Sequence, residues 1–155
     1  MKAFVTGGSG FVGRNLIAAL VARGDSVRAL ARSGKSIEAV VNSGAQAVPG
    51  ELDDIAALRR GMAGCDVAFH SAAVVTDWGD PDEFWRINVE GTQAVVDAAR
   101  AACVPRLVHV STEAVLLGGK PLHGADETWP YPNKPAGLYT TTKREAERRV
   151  LDADS

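Results

Sequence analysis

The sequence predicts an α/β fold, a doubly wound parallel sheet with helices on both faces. Short apolar runs alternate with amphipathic stretches along the whole chain, which is the pattern of strands connected by helices. The fourth run, DVAFHSAA, is continuously apolar rather than alternating, as a parallel strand buried on both faces requires. The crossovers are expected to be right-handed. A cluster of glycines between the first strand and the first helix indicates where such a sheet binds a ligand.

Composition is that of an ordinary globular domain and argues against several classes of partner. The 155 residues suffice for one domain with a buried core, and 46% of them are hydrophobic. With a net charge of −2 and no dense run of Lys or Arg, neither a nucleic acid nor a membrane surface is expected as a partner. Cys65 and Cys103 lack metal-site spacing and are expected to be reduced thiols, with no metal bound. No apolar run could span a bilayer and the first strand begins at once, so we expect a cytoplasmic protein without a signal peptide.

Five short apolar runs are predicted to be the strands, and five helical patterns fill the connections. The strands span residues 2–6, 26–32, 46–50, 66–73 and 106–111, and the helices span 10–24, 36–45, 52–64, 80–102 and 138–153. Gly24 closes the first helix and an Asp cap opens the third. The fourth helix has the clearest start, with Asp80 as N-cap, Pro81 at the first helical position and Glu83 reaching back to complete a capping box. The loop over 118–135 is long for a compact domain and indicates a functional segment.

The glycine cluster FVTGGSGFVGRNL satisfies both GxxGxxG and GxGxxG. The first glycines, including Gly7, permit a tight turn, Gly10 lets the backbone approach a pyrophosphate, and Gly13 lets the helix pack closely. The helix N-terminus at Phe11 and Val12 offers unpaired N–H groups and the positive end of its dipole to the phosphates. The motif therefore predicts a Rossmann-type dinucleotide site, with a glycine-rich turn lacking a ligand as the alternative.

The end of the second strand bears on the choice of dinucleotide. An NAD site expects an acid there for the ribose 2′-hydroxyl, but Ala31 and Arg32 occupy that position and Asp25 precedes the strand. Arg32 can instead pair with a 2′-phosphate, helped by Ser33 and Lys35, since a guanidinium suits phosphate. We therefore expect NADP, with NAD as the alternative; a solvated surface arginine is the other interpretation of Arg32.

A second motif, YTTTK, lies on the last predicted helix. Its Tyr139 and Lys143 are four residues apart and so share one helix face. A neighbouring ammonium stabilises tyrosinate, which makes Tyr139 a plausible general acid/base for interconverting an alcohol and a carbonyl. A YxxxK pair by itself is weak evidence for such a catalytic pair. The evidence is stronger here because the pair follows a nucleotide-binding motif and a strand ending in VST.

The segments VTGGSGFVG, FHSAA, INVEGT, VHVSTEAV and YTTTK, in this order, resemble the extended short-chain dehydrogenase/reductases, which include the NAD-dependent epimerases/dehydratases. The segments AAVVTDWGDPDEFWRINVEGT and HVSTEAVLLGG look most like the branch of 3β-hydroxysteroid dehydrogenases and dihydroflavonol reductases. The resemblance implies catalytic roles for four residues. Tyr139 would be the acid/base, and Lys143 would bind the nicotinamide ribose. Thr112 would bond the substrate oxygen, with Ser111 as the fallback, and Asn88 would support the proton relay unless it only bonds locally within its helix.

The resemblance also implies cofactor contacts. Ala72 and Ala73 resemble the small residues against which the cofactor lies. Glu51 and Leu52 stand where an Asp–apolar pair meets the adenine in the family, so Glu51 is a departure. His70 matches a position that is commonly His, and we interpret it as structural. Trp78 and Trp85 are expected to be buried by packing rather than to line a pocket.

Family members continue well beyond the YxxxK helix, so the resemblance implies that residues 1–155 are an NAD(P)-binding Rossmann domain and that a C-terminal substrate domain lies outside this chain. An exposed sheet edge is then expected, and the chain alone is not expected to turn over substrate. The resemblance further implies a homodimer through the helices over 81–102 and 138–153.

These observations favour an NAD(P)-dependent oxidoreductase that transfers hydride between nicotinamide and a secondary alcohol or ketone. Two alternatives remain open. A nucleotide-sugar epimerase or dehydratase with bound NAD uses the same triad, but Arg32 counts against it. A non-catalytic NAD(P)-binding sensor would have no need of Thr112, Tyr139 and Lys143 together. The identity of the small-molecule substrate does not follow from this sequence.

Overall fold

Five parallel strands form one sheet in the order β3-β2-β1-β4-β5 in the computed structural model, which describes residues 1–76, 78–119 and 121–154. Every pairing is parallel, and the order reverses direction between β1 and β4. The predicted Rossmann-type doubly wound sheet is confirmed. The strands are β1 (Lys2–Thr6), β2 (Ser26–Ala31), β3 (Gln46–Pro49), β4 (Val67–His70) and β5 (Leu107–His109).

Helices cover both faces of this sheet and divide the core in two. Along β1, Ala3 and Val5 belong to one apolar cluster and Phe4 to the other, because successive side chains of a strand point to opposite faces. The first cluster is closed by α1 and α2, and the second by α3 and α5. The helices are α1 (Phe11–Ala22), α2 (Gly34–Asn42), α3 (Ile55–Met62), α4 (Pro81–Phe84), α5 (Gly91–Ala101) and α6 (Leu138–Asp152).

The start of α2 and the cap contact of α4 differ from the prediction, whereas Asp80 as N-cap of α4 and Pro81 at its first position are confirmed. Helix α2 begins at Gly34, because Ser33 caps it and forms a reciprocal capping box with Ser36, the residue predicted to start the helix. At α4 the Asp80 carboxylate accepts from the N–H of Asp82 at 3.0 Å, one residue earlier than a capping box through Glu83 requires. The predicted Asp cap of α3 is Asp54, whose carboxylate accepts from the Ala57 N–H at 2.9 Å.

The predicted helix over 80–102 contains a π-helical segment, Trp85–Glu90, between α4 and α5. Hydrophobic periodicity does not reveal such a segment, because it changes the turn by a single residue. π-Helical turns inside helices are frequent at functional sites. Here the segment carries Asn88, whose side chain is 1% exposed.

Strands β4 and β5 end earlier than predicted. Ladder pairing stops at His70 and His109, and the chain then leaves the sheet at its carboxyl edge. The segment after β5 forms a 3-10 turn, Glu113–Leu116, and continues into the long loop, of which Lys120 lies outside the described residues. Strand β5 forms one edge of the sheet, where Val108 is exposed. No helix in the described ranges combines the length and the apolar character that crossing a bilayer would require.

Candidate functional site

A cavity of about 350 Å³ opens at the carboxyl edge of the sheet. Residues following β1, β2 and β4 line it, at the point where the strand order reverses, which is where open α/β sheets bind ligands. The structure brings together there seven of the residues predicted to contact a dinucleotide: Gly7, Gly10, Arg32, Glu51, Leu52, Ala72 and Ala73.

The glycine turn is closed too tightly for side chains at two of its positions. Gly7 has φ +69°, and a Cβ there would lie 2.6 Å from the Ala72 nitrogen. A Cβ on Gly13 would lie 2.2 Å from the Gly7 carbonyl oxygen, so α1 packs directly on the turn. At Gly10 the nearest atom would be 3.3 Å away, and this residue faces the cavity instead.

Helix α1 starts without a side-chain cap. Gly10 is its N-cap residue and supplies no side-chain hydrogen bond, so the first N–H groups of the helix keep no intrahelical partner. The Phe11 and Val12 side chains are exposed and do not line the cavity. A role for these two residues in cofactor binding would therefore rest on their backbone N–H groups, which suit a phosphate at a helix N-terminus.

The cavity wall beside Arg32 differs in part from the prediction. Arg32 is exposed and lines the cavity, whereas Ser33 and Lys35 do not. The Ser33 hydroxyl oxygen accepts from the Ser36 N–H at 3.3 Å and is engaged in capping α2, so Ser36 lines the cavity in its place. The S-x-x-S spacing was the signal that could have identified Ser36.

Sequence reasoning also missed the wall contributed by α4 and the π-helical segment. Glu83, Arg86 and Ile87 line the cavity, and Val74 continues the wall formed by Ala72 and Ala73. The Arg86 guanidinium lies 3.9 Å from the Asp53 carboxylate, and both side chains are exposed. Arg86 and Ile87 belong to the π-helical segment, which has no clear sequence signature.

Asn88 joins the cavity wall to the helix that carries YTTTK. Its Oδ1 accepts from the Val74 N–H at 2.7 Å, and its Nδ2 donates to the Val74 carbonyl at 3.1 Å and to Thr142 Oγ1 at 3.1 Å. Thr142 in turn donates to helix carbonyl groups of α6. The side-chain bonds of Asn88 therefore reach 14 and 54 residues along the chain, so the alternative that it bonds only within its own helix is wrong.

Lys143 is buried at the carboxyl end of β5, with 3% of its surface exposed. Its Nζ donates to the Val110 carbonyl at 2.7 Å and lies 3.2 Å from His109 Nε2. Burial lowers the pKa of Lys143 to about 8, and the Glu147 carboxylate one turn away acts in the opposite direction. Tyr139 is half-buried on the same helix, and its hydroxyl has no hydrogen-bond partner in the described part of the chain.

The two hydroxyl residues after β5 have separate partners. Thr112 Oγ1 caps the 3-10 turn by accepting from the Ala114 N–H at 3.2 Å, and it donates to the Glu113 carboxylate. Ser111 donates to Glu147, which also accepts from the Tyr131 hydroxyl at 2.5 Å. Ser111 is thus engaged with α6, whereas Thr112, among the described residues, bonds only within the 3-10 turn that it caps.

His70 forms a closed hydrogen-bond network in the core, as its structural interpretation predicts. Thr92 Oγ1 donates to the Asn88 carbonyl at 2.6 Å, so it can only accept from His70 Nε2, at 2.8 Å. His70 Nδ1 then accepts from the Thr6 hydroxyl at 2.7 Å. Burial, followed by the nearby His109 and Lys143, lowers the pKa of His70 well below its usual value, so the ring is neutral.

Acidification is expected to destabilise the fold through His70 and His109. Burial lowers the pKa of His109 from 6.5 to about 3 and that of His70 in the same direction, whereas the unfolded chain protonates near 6.5. The unfolded state then binds more protons, so the free energy of unfolding falls as the pH decreases below 6.5, by up to about 1.4 kcal/mol per pH unit for each histidine. Urea unfolding between about pH 7 and 5 measures the slope, which should be shallower in His109→Gln. A flat profile would contradict neutral burial of both rings.

Trp78 and Trp85 are not buried, so the packing expected for them is wrong. Their side chains are 84% and 41% exposed. Trp78 follows β4 in a segment that leaves the sheet, and Trp85 starts the π-helical turn on its outer side. In the ranges that the structure describes, no His, Cys, Asp or Glu side chains cluster as metal ligands.

The parallel sheet and its glycine turn define a Rossmann-type dinucleotide-binding fold of the extended short-chain dehydrogenase/reductase class. The chain belongs to the 3-beta hydroxysteroid dehydrogenase/isomerase family, whose model matches residues 4–155. The resemblance found in the sequence is thereby confirmed. The family is one of NAD(P)-dependent oxidoreductases, and the relatives of this chain are named as ketoreductases, reductases and 3β-hydroxysteroid dehydrogenases.

Known relatives and structures support this placement. A 4-hydroxy-2-methyl-3-oxo-4-farnesyl-3,4-dihydroquinoline-1-oxide ketoreductase of Stigmatella aurantiaca is 53% identical over 99% of this chain and 46% of its own length. A short-chain dehydrogenase/reductase superfamily protein from Agrobacterium tumefaciens with bound NAD superimposes with a TM-score of 0.80 at 34% identity, over 97% of this chain and 44% of that one. The Thermus thermophilus UDP-glucose 4-epimerase in complex with NAD superimposes with a TM-score of 0.85 at 28% identity, over 98% of this chain and 50% of that one. The chain spans less than half the length of the curated relatives it matches.

Proposed function

We propose that this chain is the cofactor-binding part of an NADP-dependent oxidoreductase that reduces a ketone to a secondary alcohol, with Tyr139 as the general acid. The observation that carries the proposal is a set of hydrogen bonds that connects the cavity wall to α6. Val74 lines the cavity, and the Asn88 side chain forms hydrogen bonds with the N–H and the carbonyl of Val74. Asn88 also donates to Thr142, which lies on the helix that carries Tyr139 and Lys143. The ketoreductase name of the Stigmatella aurantiaca relative supports a carbonyl substrate.

The cavity fits a dinucleotide. Its glycine turn has no room for a Cβ at Gly7 or Gly13, and the uncapped N-terminus of α1 suits a pyrophosphate. Leu52 offers an apolar contact to a base, the Arg32 guanidinium at the cavity wall suits a 2′-phosphate, and the small side chains of Ala72 and Ala73 leave room beside β4. The nicotinamide supplies the hydride when the cofactor is bound.

The residues of the chain supply the proton and its control. Lys143, held at the end of β5, donates to a ribose hydroxyl and favours the tyrosinate that forms after Tyr139 gives its proton to the carbonyl oxygen. Thr112 donates a hydrogen bond to the same oxygen, exchanging its present acceptor, the exposed Glu113 carboxylate, for the substrate. Asn88 keeps the Tyr139 helix and the cavity wall in register.

The experiment that tests the cofactor assignment is calorimetric titration with NADPH and with NADH. We expect tighter binding of NADPH, and Arg32→Ala is expected to lower the affinity for NADPH by about 10- to 100-fold because charge-assisted hydrogen bonds to the 2′-phosphate are lost. Affinity for NADH should be unchanged in that variant. Lys35→Ala is the matched control, since Lys35 is exposed and does not line the cavity. Preference for NADH in the wild type would overturn the NADP assignment.

A nucleotide-sugar epimerase or dehydratase with tightly held NAD is the second candidate. It is supported by the superposition on the Thermus thermophilus UDP-glucose 4-epimerase. Arg32 at the end of β2 counts against it, as does the family model. NAD that stays with the purified protein through gel filtration would favour the epimerase, whereas exchangeable NADPH favours the reductase. Binding of either nucleotide without turnover by the full-length protein that contains this chain would favour a sensor.

We also propose that two copies associate through α6 and the helix that α4, the π-helical segment and α5 form. The two helices pack against each other within the chain, and Trp85 and Leu151 remain exposed on them. Burial of such apolar side chains between copies would stabilise a homodimer. Sedimentation analysis at high protein concentration is expected to show the dimer, and a monomer there would contradict it.

A further inference from the structure

The ammonium group of Lys143 has a second neighbour, the imidazole ring of His109. Lys143 is buried and His109 is partly buried, and Lys143 Nζ lies 3.2 Å from His109 Nε2 while it donates to the Val110 carbonyl at 2.7 Å. His109 is the last residue of β5 and Val110 follows it, so both acceptors come from the carboxyl end of one strand. The motif YTTTK does not predict either contact.

The hydrogen-bond donors of Lys143 determine the tautomer of His109. An ammonium group has donors and no acceptor, so Nε2 of His109 must accept and the ring proton must reside on Nδ1. That Nδ1 is buried and, among the described residues, is the one buried side-chain nitrogen or oxygen without a hydrogen-bond partner. Leaving such a donor unpaired is unfavourable, and unpaired buried groups in native structures call for an explanation.

We propose that His109 is a positioning residue for Lys143: its neutral ring holds the ammonium at the end of β5 so that one N–H remains for a cofactor hydroxyl. This inference rests on the proposed function, in which Lys143 binds the nicotinamide ribose. An ammonium group has three donors, of which Val110 and His109 take two. The third is then fixed in direction, because two acceptors on a rigid strand end orient the group better than one.

The ring must stay neutral for this role. An imidazolium would lose the accepting lone pair and repel the ammonium. Burial, and then the charge of Lys143, lowers the pKa of His109 to about 3, so the ring remains an acceptor throughout the neutral range. His70 lies behind it, with ring centroids 5.1 Å apart, and is also neutral.

Few other charges act on Lys143. On its own helix, Glu147 raises the pKa of Lys143 and is itself bonded to Ser111 and Tyr131. Asn88 and Thr92, which face the interior from the π-helical segment and α5, are uncharged. The charged residues of the other elements packed against α6 are exposed: Asp82, Glu83, Arg86, Glu90, Asp97, Arg100 and Glu113. The protonation of Lys143 is therefore sensitive to the loss of a single acceptor.

The test is a nuclear magnetic resonance titration of the chain labelled with ¹³C-lysine. The chain has five lysines, and the Lys143 signal is the one that disappears in Lys143→Arg. His109→Gln keeps an acceptor near the Nε2 position, whereas His109→Leu has a similar size and no acceptor. We expect His109→Gln to titrate like the wild type and His109→Leu to titrate about one pH unit lower, because a charged donor loses a hydrogen bond.

Two results would overturn the proposal. Lys143 titrating in His109→Leu as in the wild type would show that the ring does not hold the ammonium. Equal shifts in the Gln and Leu variants would show that only packing matters. His109→Asn, whose shorter amide lies near the Nδ1 position and cannot reach Nζ, is expected to behave like His109→Leu and serves if the Leu variant does not fold.

The titration needs no cofactor, so it is separable from the proposed function. If the expected pKa shifts occur but neither the wild type nor any variant binds NADPH or NADH, the proposed function fails and the pairing of His109 with Lys143 stands. If the nucleotides bind and the shifts are absent, the pairing fails and the function stands.

Discussion

Tyr139→Phe is expected to lower ketone reduction by about 10²- to 10⁴-fold in the full-length protein that contains this chain, while cofactor affinity stays within about 2-fold of the wild type. The variant removes only the hydroxyl that gives up the proton. Tyr139 is half-buried, and its hydroxyl bonds to no other residue that the structure describes, so the fold does not depend on it. The measurement is NADPH oxidation over a panel of ketones, beside calorimetric titration with NADPH.

The matched control for this variant is Tyr131→Phe. The Tyr131 hydroxyl donates to Glu147, and its ring lies in the long loop rather than on α6. Burial, and then the hydrogen bond to Glu147, raises the pKa of Tyr131 to about 12, which makes it a poor proton donor at neutral pH. Loss of the hydroxyl in Tyr131→Phe is expected to lower turnover by less than about 10-fold. Unchanged turnover in Tyr139→Phe would refute the acid/base mechanism.

Asn88→Ala is expected to lower the free energy of unfolding by about 2–4 kcal/mol. The change removes three hydrogen bonds and leaves the Val74 N–H and carbonyl without their side-chain partners in a partly buried segment. Asn88→Asp should also be destabilising, because a carboxylate keeps the bond from the Val74 N–H but cannot donate to Val74 or Thr142 and would be buried with a charge. Urea unfolding monitored by circular dichroism measures both.

Asn15→Ala is the control for the loss of an asparagine from a helix. The Asn15 side chain donates to the Phe11 carbonyl at 2.8 Å within its own helix and is exposed, so we expect a change below about 1 kcal/mol. If Asn88→Ala were no more destabilising than Asn15→Ala, the joining of the cavity wall to α6 through Asn88 would make no contribution to stability.

Asn88 also illustrates why part of the site was beyond sequence reasoning. The family resemblance identifies Asn88 as a site residue but does not predict its hydrogen-bond partners. The bonds to Val74 and Thr142 connect segments that meet only in the folded chain. The same holds for His109, whose contact with Lys143 joins a strand end to a helix 34 residues further along. The expected role of Ser33 is wrong for a local reason: its hydroxyl caps α2 and is not free for a phosphate.

The fold class, the order of the elements and the place of the glycine turn could all be predicted from the amino-acid sequence. These features depend on apolar periodicity and on glycine geometry, which are local properties of the chain. The π-helical turn, the early ends of β4 and β5 and the tautomer of His109 became visible in the folded chain. Each of these depends on contacts between residues distant in sequence, and no local pattern encodes such contacts.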